Sequence, residues 1–164
     1  MPAIDIKAYK KKIILDLIQS EAIVVGIDSQ KEGIDTPDDL IYKNVFPYLH
    51  IDFVQTIADT YILIGVDQVG INAPNTTFAN LRITVWVAAH VDRQRFVIGD
   101  VPSTRVDYLA EQVAEILDGN LNYGFGVLQL VASSEVVFND KYQYRELVFH
   151  TVDLTARSDR KVWR

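Results

Sequence analysis

The stretch from Phe78 to His90 reads FANLRITVWVAAH and alternates over ten residues. Leu81, Ile83, Val85, Val87 and Ala89 take one phase, and Arg82, Thr84, Trp86, Ala88 and His90 take the other. A period of two in β-branched and aromatic residue types describes a half-buried strand. It lies near the middle of a chain of 164 residues. The segments around it are therefore read as its pairing partners and its cover.

Thr60 to Val69 is a second strand, with Tyr61 to Ile64 continuously apolar. The polar loop Gly70 to Thr77, with Asn72, Pro74 and Asn75 as turn formers, is longer than a tight hairpin needs. It is expected to project and to reach a neighbour through Asn72, Asn75 and Thr76. Val127 to Phe138 and Tyr142 to Leu154 are expected to form a hairpin around Asn139-Asp140, with a bulge at Ser133-Ser134. The last strand is long enough, at about 3.3 Å per residue, for one end to reach beyond the domain. Val91 to Pro102 reads as a connection.

Helices fill the gaps. Asp5 can cap a helix over about residues 6 to 19, with Ile6, Tyr9, Ile13, Ile14, Leu17 and Ile18 on one stripe. Its lysines Lys7, Lys10 and Lys11 read as a solvated face, or as a contact surface for an acidic partner. Ser20 to Ile27 is a helical turn or a buried extended piece that ends at Gly26. Thr36-Pro37-Asp38-Asp39 starts a turn of helix. Pro47 bends an aromatic segment against the body. Ser103 or Thr104 caps the clearest helix, whose apolar face includes Val106, Leu109, Val113 and Leu117 and which Gly119 ends. The order predicts a single α+β domain: an antiparallel or mixed sheet of about four main strands, with helices on one face. It spans residues 1–156 and leaves a basic tail at 157–164.

Charge is uneven. The net charge is −6, yet the two ends carry eight basic side chains against Asp5 and Asp159. The body between them holds 8 basic and 20 acidic side chains, a net of −12. Such a body repels phosphate, so it suits solubility, or contact with DNA without a grip on it. No apolar run approaches the roughly 20 residues of a membrane span, and the N-terminus lacks the pattern of a signal peptide. The expectation is synthesis in the cytoplasm and no membrane partner.

The chain has no cysteine, which excludes disulfides and thiolate chemistry. His50, His90 and His150 have no helical spacing, so neither a metal nor a cofactor is expected. His90 and His150 read as satisfied structural histidines. Glu111 and Glu115 lie one helical turn apart and read as a solvated face. The glycine cluster at residues 119–126 follows a helix and precedes a strand, the reverse of a phosphate loop. No spacing joins a catalytic triad, so no enzyme is expected.

Four segments carry a resemblance. They are YKNVFPYLHI, TFANLRITVWVAAH, RVDYLAEQVAEILDGN followed by YGFGVLQL, and the closing VFHTVDL. In order and spacing they resemble the small neck and tail-completion proteins of long-tailed bacteriophages, especially those of Gram-positive hosts. The matching positions are Tyr42, Lys43, Phe46, Pro47 and Tyr48, then Val87, Ala89 and His90. The helix contributes Arg105, Asp107, Tyr108, Leu109, Leu117, Asp118 and Gly119. His50 and Ile51 stand where that family has a second proline. The resemblance covers about residues 41 to 154.

It implies a structural virion protein, a tail terminator ring subunit. Its expected partners are itself in a homohexamer, the tail tube protein and the head-side connector, with DNA passing through the lumen. The alternatives are a head-completion adaptor or stopper on the portal side and, from another class, a small enzyme or ligand-binding protein. The basic tail, with Arg157, Arg160, Lys161, Trp163 and Arg164, is expected to dock on the acidic body of a neighbouring subunit.

Overall fold

The computed structural model describes residues 5–50, 57–71, 78–124 and 126–154. They form one α+β unit with three helices, a five-stranded mixed sheet and a separate two-stranded sheet. The strand β1 (Val45–Phe46) pairs in parallel with β2 (Thr60–Ile71). The other pairings are antiparallel and run through β3 (Phe78–His90), β7 (Tyr142–Leu154) and β6 (Gln129–Val136). The order across the sheet is β1-β2-β3-β7-β6, so the alternating stretch is the central strand.

The alternation places the core as expected. Leu81, Ile83, Val85, Val87 and Ala89 are all fully buried. Facing this side are α1 (Ile6–Ile18), α2 (Glu21–Ile27) and α3 (Arg105–Leu117), whose Ile13, Leu17, Ile23, Leu109 and Val113 join the same cluster. The second face departs from a simple half-buried strand. Ala88 and Thr84 are buried there, Trp86 is half-buried, and only Arg82 is fully in solvent. Phe46, Tyr61, Leu63, Tyr142 and Tyr144 form a smaller aromatic core over that end of the sheet. Trp86 lies across Gly65, where an added Cβ would meet its ring at 3.1 Å.

Local signals place the helix ends. The Asp5 carboxylate accepts from the Ala8 amide at 3.1 Å, and Thr104 Oγ1 accepts from Asp107 at 3.2 Å. Gly119, at φ +77°, follows the end of α3 and donates to Leu128 O at 2.7 Å. Pro37–Leu40 is a 3₁₀ turn, as its cap predicts.

The structure decides one expectation that the sequence left open and corrects three. Ser20 to Ile27 resolves as the helix α2, capped by the Ser20 hydroxyl. Gly26 is its penultimate residue and is buried, and a Cβ there would come within 2.6 Å of Leu109. The connection at 91–102 contains a hairpin, β4 (Arg95–Ile98) with β5 (Val101–Thr104), turning at Gly99-Asp100. The bulge of β6 falls between Leu130 and Ala132, not at Ser133-Ser134. Finally, β7 pairs with β3 along its whole length, and its C-terminal part stays on the body. Tyr9 donates to the Asp153 carboxylate there, and Thr151 Oγ1 donates to Tyr123 O at 3.1 Å.

Candidate functional site

Three features stand out from the scaffold: a buried polar hub, a pair of sheet edges, and a cleft. The hub centres on Asp59, which is fully buried at the start of β2. Its carboxylate accepts from the Thr60 amide at 2.8 Å and from the Gln30 amide at 3.4 Å. Arg93 Nη1 lies 3.5 Å from it, while Nη2 reaches the Asp28 carboxylate at 2.9 Å. Arg105 donates to Gly26 O at 2.6 Å and to Arg93 O at 2.9 Å. Its guanidinium sits 4.6 Å from the centre of the Phe96 ring, which packs in turn on Tyr108. Burial, with Arg93 next to it, pulls the Arg105 pKa below its ordinary value. Asn44 extends the hub: it donates to Thr60 O at 2.8 Å and accepts from Ser29 at 2.7 Å. The hub thus ties α2, the segment after it, β2 and α3 together.

The cleft, of about 590 Å³, lies between α1 and the segment around Pro47. Ile14, Leu15 and Ile41 line it with Tyr42, Pro47 and Tyr48, and Lys7, Lys10 and Lys11 stand over it. Tyr42 is 63% exposed and adopts φ +62°, a left-handed conformation uncommon for an aromatic residue. Its amide donates to Val45 O at 2.9 Å, which holds the turn closed. The three lysines make no ion pair among the described residues.

At the far edge of the sheet, β6 has no partner on its outer side among the described residues. Val131 is 50% exposed, and Val137, in the turn that follows, is 85% exposed. A family model, YomW, matches residues 11–151. The chain belongs to the YomW family. The family name is that of a phage-derived gene family, which makes this a phage-related protein. No curated protein matches the chain.

The positions that carry the tail-completion resemblance have structural duties in this YomW-family chain. Arg105 is in the hub, Leu109 in the core, and Tyr108 against Phe96. Asp107 pairs with Arg145 at 2.9 Å, and Asp118 accepts from the Leu130 amide at 2.8 Å. Lys43 donates to Gly33 O at 2.9 Å. His90 is a satisfied structural histidine, accepting from the Asp92 amide at 3.2 Å with its ring edge-on to Tyr142. His150 is instead exposed, paired across the sheet with Arg82, because its parity puts it on the uncovered end of the second face. Glu111 and Glu115 are solvated.

The proposed contact residues Asn72, Asn75, Thr76, Arg157, Arg160, Lys161, Trp163 and Arg164 all lie outside the described residues. Sequence reasoning noted the α1 lysines but missed the cleft, since the Pro47 segment that forms its other wall is brought there by tertiary packing. Among the described residues no group of histidines and carboxylates is arranged to hold a metal. No helix among them is long and apolar enough to cross a membrane.

Four tyrosines predict how this fold responds to alkali. Burial, then the Asp16 carboxylate, raises the Tyr123 pKa; burial, then Asp153, raises that of Tyr9. Burial is the first cause of the rise at Tyr142 and Tyr144 as well. A raised pKa means that the unfolded chain loses its phenolic protons first. The stability they contribute is therefore intact below the ordinary value of 10.0 and drains away as pH climbs above it. The urea midpoint should hold up to about pH 9 and fall steeply by about pH 11. Substituting Tyr123 with Phe should flatten that fall.

Proposed function

We propose that this phage-related chain is a subunit of the phage neck, a tail terminator ring that caps the tail tube and joins it to the head-side connector. The observation that carries this reading is the distribution of exposed apolar side chains. Exposed apolar side chains also include Val25, Val97, Val101 and Leu121 elsewhere, but Tyr42, Tyr48 and Leu49 lie beside β1, and Val131, Val137 and Phe138 lie along and just after β6. These are the two opposite edges of one sheet. Surface apolar groups scattered singly are ordinary, but two groups at opposite ends of one layer suit a subunit with a neighbour on each side. The resemblance of the Tyr42–Tyr48, Phe78–His90 and Arg105–Gly119 segments to tail-completion proteins supports the same role. In this reading the protein is a virion component without catalysis, and DNA passes the acidic body unbound.

Light scattering and electron microscopy of the purified chain, with antibody labelling of particles, test the proposal. A closed ring, and label at the junction of head and tail, are the expected results. Label confined to the portal side would move the subunit to an adaptor or stopper role. A chain absent from purified particles would exclude a neck function.

A further inference from the structure

The two edge surfaces carry opposite charge, three lysines at one and Glu135 and Asp140 at the other, and a line of strand pairings connects them. Phe46 pairs with Leu63, Leu63 with Trp86, Trp86 with Glu146, and Glu146 with Ser134. One line of pairings therefore runs from Phe46, next to the cleft-lining Pro47, to Ser134 near the end of β6. It crosses four strand spacings, about 19 Å at about 4.8 Å each. Just past its β6 end the turn at 137–141 presents Val137 at 85% exposure, between Glu135 and Asp140. Both acids are exposed; Glu135 has only a 3.5 Å contact to Arg145, and Asp140 has no ion pair among the described residues.

The turn is held in shape before any contact. Asn139 accepts from the amides of Lys141 at 3.0 Å and Tyr142 at 2.9 Å, and donates to the Tyr144 hydroxyl at 3.2 Å. Phe138 packs edge-on against Tyr144. A fixed turn loses little entropy on docking. At the other edge the cleft offers an apolar floor beneath three lysines without ion pairs among the described residues, and Tyr42 is held in a strained backbone conformation beside it. Lys141 is the one cation on the turn and offsets part of its charge.

Resting on the ring reading above, we infer that the Val137–Lys141 turn of one copy seats Val137 in the cleft under Lys7, Lys10 and Lys11 of the next. Val137 supplies the apolar anchor, and Glu135 and Asp140 face the lysines. The contact joins two different surfaces, so each copy keeps a free turn and a free cleft, and the chain of contacts closes only as a ring. Burying the lysine charge against carboxylates gives the contact its orientation and its salt dependence.

The experiment measures mass by light scattering for the full chain and three variants. Val137→Asp should reduce the ring to monomers, and so should the pair Lys7→Glu with Lys11→Glu. These side chains are exposed, so both variants should melt with the wild type. Mixing the two variants should give a heterodimer and nothing larger, because only one intact cleft and one intact turn remain to meet. Adding Glu135→Lys and Asp140→Lys to the lysine variant should restore rings. Rings that survive Val137→Asp would overturn this interface and leave the ring reading standing. A mixture that stays monomeric, or one that closes into rings, would also overturn it. A wild-type chain that is monomeric at every concentration would overturn both.

Discussion

Replacing Val87 with Asp should yield insoluble or unfolded protein. Val87 is fully buried on the central strand, in the cluster that contains Leu109 and Val113 of α3. The substitution loses the burial of a valine side chain, about 1.5–3 kcal/mol. It also places a carboxylate in the core, across the strand from Arg145, whose guanidinium is already engaged by Asp107 and Glu135, at several kcal/mol more. Together these rival the whole stability of an ordinary domain, about 5–15 kcal/mol. Val87→Ala is the control: it leaves only a small cavity and should lower the melting temperature while sparing solubility. Soluble expression with thermal melting checks both. A soluble Asp variant that melts with the wild type would mean that Val87 does not face the core.

That outcome was legible in the sequence because it depends on a backbone property. The pleat sends neighbouring side chains to opposite faces, so the phase of Leu81 to Ala89 states which face is inside. The ends of α3 were legible for a similar reason, since Thr104 and Gly119 act on amides and carbonyls within one turn of themselves. The hairpin β4–β5 was legible in principle. Gly99-Asp100 between RFVI and VPST is a two-residue turn signal, and Pro102 obscured it although an edge strand accepts proline.

Two parts were hidden for a different reason. Arg93 and Asp28 are 65 residues apart in sequence, and Arg105 and Gly26 are 79 apart. No local pattern announces such pairs; from the sequence alone Asp28 and Asp59 look like any surface acid. The second aromatic core was hidden as well. Its Phe46, Tyr61 and Tyr142 come from three separated segments, and each sits on a strand face that the alternation alone leaves open.

Replacing Asp59 with Ala should cost about 3–5 kcal/mol, a loss typical of removing one partner from a buried ion pair. The deletion strands more than a charge. The Thr60 and Gln30 amides lose their acceptor, and Arg93, whose side chain is only 12% exposed, keeps Asp28 alone. Asp59→Asn retains an acceptor oxygen and removes the charge, so it should cost less, about 1–3 kcal/mol. Denaturation midpoints of both variants give these values. A cycle with Arg93→Ala should leave a coupling of about 0.5–3 kcal/mol, since the two groups touch.

The consequence should reach the cleft. Asp59 fixes the start of β2, Thr60 O holds Asn44, and Asn44 anchors the segment that carries Tyr42 and Pro47 to one wall. In the ring proposed above, the Asn variant, still folded, should therefore assemble more weakly than the wild type, although Asp59 is itself fully buried. Equal ring stability in the folded Asn variant would show that the cleft wall is held without the hub.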